Sequence, residues 1–199
     1  YKDTAAALLT RFDRKDNDVL SEVDEIFTIA GRLMAVRDFG KAAFIKVQDR
    51  TGSLQGYINH VILGDDDFGL YRRLDIGDII AMTGRIFRTR TEELTIEVTE
   101  LQLLSKAIRP LPEKWHGLTD VETRYRQRHL DLISNEKSRE VFQRRSRIIQ
   151  FIRHFMEKRD FMEVETPMMQ PKAGGAMARP FKTFHNALGM DFYLRIAPE

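Results

Sequence analysis

Alternation of apolar and polar residues runs through the first half of the chain. Five segments carry it: 26–37, 41–50, 53–59, 78–88 and 93–104. A period of two puts successive side chains on opposite faces of a strand. In 43–48, Ala43, Ile45 and Val47 share one face, while Phe44, Lys46 and Gln48 share the other. The next segment repeats the pattern, with Leu54, Gly56 and Ile58 opposite Gln55, Tyr57 and Asn59. Between them, Asp49-Arg50-Thr51-Gly52-Ser53 has hairpin chemistry. A short helix is predicted at about 3–12 and another at about 66–74, between the third and fourth strands.

Five short strands with a helix between the third and fourth is the order of an oligonucleotide-binding (OB) barrel, though other small barrels share it. After 105–120, a linker biased toward extended backbone by Pro110 and Pro112, the period changes. Helices are predicted at about 121–133 and 136–158. In the second, Val141, Phe142, Ile148, Ile149, Phe151, Ile152, Phe155 and Met156 form a wide apolar stripe. A strand is expected over Phe161–Thr166, then strands at 181–185 and 191–197 joined by Asn186-Ala187-Leu188-Gly189. The chain stops at Glu199, directly after a strand, and is read as truncated within its second domain. The division is therefore 1–104, a linker 105–120, and an incomplete domain 121–199.

Composition narrows the classes. The 199 residues contain no cysteine, which removes disulfides, thiolate metal sites and cysteine nucleophiles. No apolar run approaches the roughly 18 residues of a spanning helix, so no membrane partner is expected. The first residues, YKDTAAALLTRF, lack a signal-peptide shape, and the cytoplasm is the expected location. The net charge is +2, but it is unevenly spread. Residues 1–104 hold 14 basic and 18 acidic side chains, and residues 105–160 hold 14 and 8. Nucleic-acid binding would have to be local rather than driven by bulk charge.

Candidate chemistry follows from the outward faces. Within 31–50 five basic residues stand against two acidic ones. An aromatic such as Phe44 on a polar, locally basic strand face is what base stacking requires, although it could equally pack under a loop. Glu163 and Glu165 would share a strand face, as acid–base partners or as a solvated surface. Gly174-Gly175 could present backbone N–H groups to a ligand or simply turn the chain. Arg124, Arg126 and Arg128, with the basic residues of 137–147, form either a phosphate surface or a solvated one. No phosphate loop, dinucleotide fingerprint or nucleophile elbow is present. The five histidines lack close metal-ligand spacing, and no metal site is expected in this chain.

Four segments together resemble one family. GRLMAVRDFGKAAFIKVQDRTGSLQGYI (31–58) is similar to the anticodon-binding barrel of subgroup-b class II aminoacyl-tRNA synthetases, the lysine, aspartate and asparagine enzymes. RPLPEKWHGLTDVETRYRQRHLDLISN (109–135) resembles their linker and the start of their catalytic domain. FMEVETPMM (161–169) resembles class II motif 1, with its closing proline at Pro167. GGAMARPFKTFHNALGMDFYLRIAPE (174–199) is similar to the lysine branch.

The resemblance implies an α+β chain: a five-stranded OB barrel followed by the start of an antiparallel-sheet catalytic domain. It implies that Arg37, Phe44 and Gln55 bind the central anticodon base and that Glu93 helps read a flanking one. It implies lysine contacts at Gly175 and Glu199, and a motif 1 dimer interface at Pro167. The activity implied is ATP-dependent ligation of lysine to its tRNA, through lysyl-adenylate, by a homodimer. The expected partners are therefore the lysine tRNA, lysine and ATP. Motifs 2 and 3 are absent, so the ligands for ATP and for Mg2+ lie outside this chain, which alone is expected to be inactive. The rivals are the aspartate or asparagine enzymes, a non-catalytic tRNA-binding OB protein, and a ligase that adds lysine to protein, whose members lack the barrel.

Overall fold

Period-two patterning becomes a barrel because only one face of each strand is apolar. A computed structural model describes residues 1–111, 118–172 and 174–197. Its strands β1 (Phe27–Asp38), β2 (Ala42–Gln48), β3 (Ser53–Asn59), β4 (Ile79–Arg88) and β5 (Leu94–Ser105) close in the order β1-β2-β3-β5-β4. Neighbours are antiparallel except β3 and β5, which pair in parallel from Gln55–Thr95 to Tyr57–Glu97. The predicted inward side chains fill the interior: Ala43, Ile45, Val47, Leu54 and Ile58 are at most 2% exposed. Leu33, Ile80, Met82, Ile96 and Val98 complete that core. At Gly56 a Cβ would lie 2.6 Å from Met82 Sδ and 3.0 Å from Ile45 Cγ1, so any side chain there would collide with the core.

Side chains fix the barrel's ends. In the β2–β3 turn the Asp49 carboxylate accepts from the N–H groups of Thr51 (2.6 Å) and Gly52 (2.9 Å), as the sequence predicts for a hairpin. It also accepts from Ala5 N–H at 2.7 Å, which ties helix α1 (Ala5–Arg11) to the barrel. Ala5, Leu8 and Phe12 are buried. A short helix that the pattern did not reveal, α2 (Asn17–Ser21), is capped by Asp16 accepting from Val19 N–H. The helix expected at 66–74 begins earlier and is two pieces, α3 (His60–Leu63) and α4 (Asp65–Tyr71). They part at Gly64, whose φ of +81° a helix cannot contain.

At the start of β4 the Asp78 side chain is wholly buried. It accepts from the N–H groups of Asp75 (2.8 Å) and Ala107 (2.7 Å) and from Lys106 Nζ (2.7 Å). Burial raises the carboxyl's pKa, but these donors outweigh it and hold the group below the usual carboxylate range.

The single helix expected over 121–133 is broken. Helix α5 (Val121–Arg126) ends at Gln127, with φ −120° and ψ +56°, and α6 (Arg128–Ser134) follows. The carboxylate of Asp131, fully buried, accepts from Arg124 Nε at 2.8 Å and from Arg128 Nη1 at 2.5 Å. Arg124 and Asp131 would be separated by about 10 Å of rise along a continuous helix. The break brings them into contact.

Packing divides the chain into two units, Tyr1–Ser134 and Asn135–Glu199, later in the chain than the 105–120 linker. The second unit holds α7 (Glu136–Glu157) and a three-stranded antiparallel sheet, in the order β6 (Met169–Gln170), β8 (Met190–Leu194), β7 (Lys182–His185). The α7 stripe is formed as expected, and Val141, Phe142, Ile148, Phe151 and Ile152 are exposed. The strand expected over Phe161–Thr166 does not form. Residues 161–167 have no regular structure and are exposed. A strand needs a ladder of partners. Here the pairing begins at Met169, preceded by contacts from Arg195: its N–H donates to the Met168 carbonyl at 2.8 Å and its guanidinium to the Thr166 carbonyl at 3.1 Å. Among the described residues no helix is long and apolar enough to cross a membrane.

Candidate nucleic-acid interface

The outer faces of β1, β2 and β3 bring three of the predicted residues together. Arg37 on β1 is the direct cross-strand partner of Phe44 on β2, and Phe44 is the partner of Tyr57 on β3. Gln55 lies two positions from Tyr57, on the same face and diagonal to Phe44, within reach of a shared planar ligand. Arg37 is exposed, and Phe44 and Gln55 are partly exposed. The alternation inferred from sequence therefore holds, and Phe44 is not part of the core.

Phe44 is one member of an aromatic row. Its ring centroid is 5.1 Å from that of Tyr57 and 6.3 Å from that of Phe39, the latter edge-on. Tyr57 continues to Phe87 of β4 at 6.0 Å. Asn59 Nδ2 donates to the Tyr57 hydroxyl at 3.3 Å. Exposed Lys41, Lys46 and Arg50 accompany Arg37 on β1, β2 and their turns. The row thus offers π-faces within a cationic border, the combination that holds single-stranded nucleic acid.

Gln55 is oriented by the strand beside it. Its Nε2 donates to Thr95 Oγ1 at 3.0 Å, and that hydroxyl donates to the Glu93 carbonyl at 3.0 Å. With Nε2 committed on one side, the amide remains able to offer Oε1 to a base edge. Glu93 stands exposed at the β4–β5 turn, and its carbonyl also accepts from Thr89 N–H at 3.1 Å. It is two residues before Thr95, the cross-strand partner of Gln55.

The β1–β2 turn is held by α4. Asp38 accepts from Gly40 N–H at 2.6 Å, from the Tyr71 hydroxyl at 2.8 Å and from Arg72 at 3.2 Å. The Gly40 N–H, then the Tyr71 hydroxyl, keep the Asp38 carboxyl below its ordinary pKa. Burial and the neighbouring carboxylate push the Tyr71 phenol up.

The residues predicted to meet lysine lie in the second unit. Gly175 has a φ of +101°, and a Cβ there would be 3.2 Å from Ala197 Cβ, so a side chain would be strained and crowded. Pro167 is exposed. Glu199, and residues 112–117 of the linker, lie outside the described residues. Glu163 is ion-paired with Arg153 at 2.9 Å, and without the expected strand it shares no strand face with Glu165. Within the basic cluster, Arg124 and Arg128 are engaged with Asp131, Arg126 with Glu122 and Arg144 with Glu140.

Comparison with known proteins agrees with both halves. Residues 27–104 match the OB-fold nucleic acid binding domain, and residues 120–199 match the tRNA synthetases of class II (D, K and N). The lysine–tRNA ligases of Carboxydothermus hydrogenoformans and Dichelobacter nodosus are each 53% identical to this chain over 196 residues. Those matches cover 98% of this chain and 39% of each relative. The lysine–tRNA ligase of Xylella fastidiosa is 56% identical over 171 residues, covering 86% of this chain and 34% of its own length. The chain is similar to the class II tRNA synthetases over its second segment and to lysine–tRNA ligases over nearly all of its own length. It spans about two fifths of the relatives' length.

Two members of the aromatic row, Phe39 and Phe87, were not singled out by sequence reasoning. Phe87 was accessible from the alternation of 78–88, in which Ile86 faces in and Phe87 out. Phe39 lies in a turn, where period-two reading carries no information. No group of three or more His, Asp or Glu side chains suited to a metal ion occurs among the described residues.

Proposed function

We propose that the barrel of this chain binds the anticodon loop of a lysine tRNA. Phe44 stacks on the central anticodon base, Gln55 meets its edge, Arg37 supplies charge beside it, and Glu93 contacts a flanking base. The observation that carries this reading is the outward Phe44 ring, set between Arg37 and Tyr57 with Gln55 on the same face. The functional division follows the sequence, with 1–104 for the anticodon, 105–120 as linker and 121–199 as the start of the catalytic domain.

The whole protein is proposed to ligate lysine to its tRNA, which the names of the relatives support over aspartate or asparagine. A lysine carboxylate oxygen attacks the α-phosphorus of ATP and pyrophosphate leaves. A terminal ribose hydroxyl of the tRNA then attacks the carbonyl carbon and AMP leaves. Gly175 leaves open backbone beside the lysine, and Glu199 meets its α-ammonium through a charge-assisted bond. Mg2+ would be held by residues beyond this chain. The protein acts as a homodimer in the cytoplasm, with Pro167 at the dimer interface.

Phe44→Ala tests the reading directly. It is expected to weaken binding of an anticodon stem-loop RNA by about 1–3 kcal/mol, the scale of a lost base stack. Circular dichroism should be unchanged, because the ring lies outside the core. Wild-type affinity in the variant would remove Phe44 from the interface.

A further inference from the structure

The aromatic row continues past Phe44 to a residue that the anticodon reading leaves without a role. Phe39 sits in the β1–β2 turn and is 69% exposed, the largest exposed apolar side chain beside the interface. Hydrophobic burial does not account for it, since exposing a phenyl ring forgoes its transfer free energy. Its ring meets Phe44 edge-on at a centroid distance of 6.3 Å and an interplanar angle of 86°. With that single ring neighbour and 69% of its surface exposed, Phe39 keeps most of its ring open to a planar ligand.

The turn that carries Phe39 is fixed rather than loose. Gly40 follows with a φ of +87°, where a side chain would be strained, and its N–H is taken by Asp38. The same carboxylate is anchored to Tyr71 and Arg72 of the neighbouring helical segment. Phe39 is thus flanked on both sides by residues locked in place. A preorganised exposed ring loses little conformational entropy when a partner stacks on it. Arg37 and Lys41 flank the turn and are exposed, which suits a phosphate-bearing strand rather than an apolar peptide. The first hairpin loop of an OB barrel also lies at the edge of its nucleic-acid face.

We propose that Phe39 is a second stacking platform, for a nucleobase adjacent in the RNA to the one over Phe44. The proposal rests on the anticodon reading of the barrel and extends it from one stacked base to two. Asp38 is the positioning residue of that platform.

The test measures affinity by fluorescence anisotropy, using the 199-residue chain. Three anticodon stem-loop RNAs are compared: one intact, and two with an abasic ribose on either side of the central anticodon position. Phe39→Ala is expected to weaken the intact RNA about ten-fold, and Phe39→Trp to stay within about two-fold of wild type. One abasic RNA should bind wild type about ten-fold worse than the intact RNA, and Phe39→Ala should then lose nothing further on it. Equal losses from Phe39→Ala on all three RNAs, or equal losses from the Ala and Trp variants, would overturn the platform. So would wild-type affinity for Phe39→Ala. Phe44→Ala, measured on the same RNAs, reports separately on the underlying reading. If it binds as wild type, the anticodon assignment falls. A loss at Phe44 without one at Phe39 removes only the second platform.

Discussion

The barrel and the second unit use similar apolar side chains to opposite effect. In the barrel, Ile45, Ile58, Ile80, Ile96 and Val98 are at most 1% exposed, and each strand is paired on both edges. In the second unit, Ser138 is the one buried residue among those described, while Phe151, Ile148 and Val141 are all more than half exposed. The difference is closure. A closed sheet has an inside, so its alternation is satisfied locally. A helix with a stripe needs a separate surface to lie against. Periodicity therefore tells which face is apolar in both regions, but only in the barrel does it also tell what covers that face.

Substitutions should separate the regions sharply. Ile45→Ala, in the barrel core, is expected to cost about 2–4 kcal/mol in urea unfolding, through lost burial and a residual cavity. A cost below 1 kcal/mol would mean the core collapses around the missing atoms. Asp78→Asn should cost on the order of 2 kcal/mol at neutral pH, since it weakens charge-assisted bonds inside the same unit. Its folded pKa is depressed, so its stabilisation is complete above the ordinary carboxylate value of about 3.9 and is lost as pH falls through the folded value. The Asn variant should accordingly show a flatter stability profile below about pH 4. An unchanged acid limb would mean that other carboxylates control it. The smallest effect is expected for Phe151→Ala, below about 0.5 kcal/mol in this chain. A loss above 1 kcal/mol there would show that the stripe is covered after all.

Legibility in the sequence follows the same line. The five strands, their inward faces and the Asp49 hairpin were readable, because each depends on neighbours close in sequence. Phe44 and Gln55 were placed correctly on one outer face for that reason. The break at Gln127 was not readable. It depends on a buried carboxylate seven residues from Arg124, and a run of arginines shows no apolar period. The missing strand at 161–166 had the right alternation, but alternation cannot supply a hydrogen-bonded neighbour. Phe39 was missed because it follows the last residue of β1, where the strand template ends. Its role becomes visible only once Phe44 is seen beside it.

The parallel seam between β3 and β5 has a consequence for how the chain is made. The strands β1, β2 and β3 follow one another as a meander and can pair as soon as residue 59 has been synthesised. The outer edge of β3 must then wait for Thr95 and Ile96, about forty residues later, before it gains a partner. During that interval β3 offers unpaired N–H and C=O groups to any extended segment nearby, another copy of itself included. Non-local pairing of this kind also slows folding, because the loop entropy is lost before the contact forms. The vulnerable species is thus the nascent chain between residues 59 and 94, not the finished barrel, and translation speed across that window sets how long it persists.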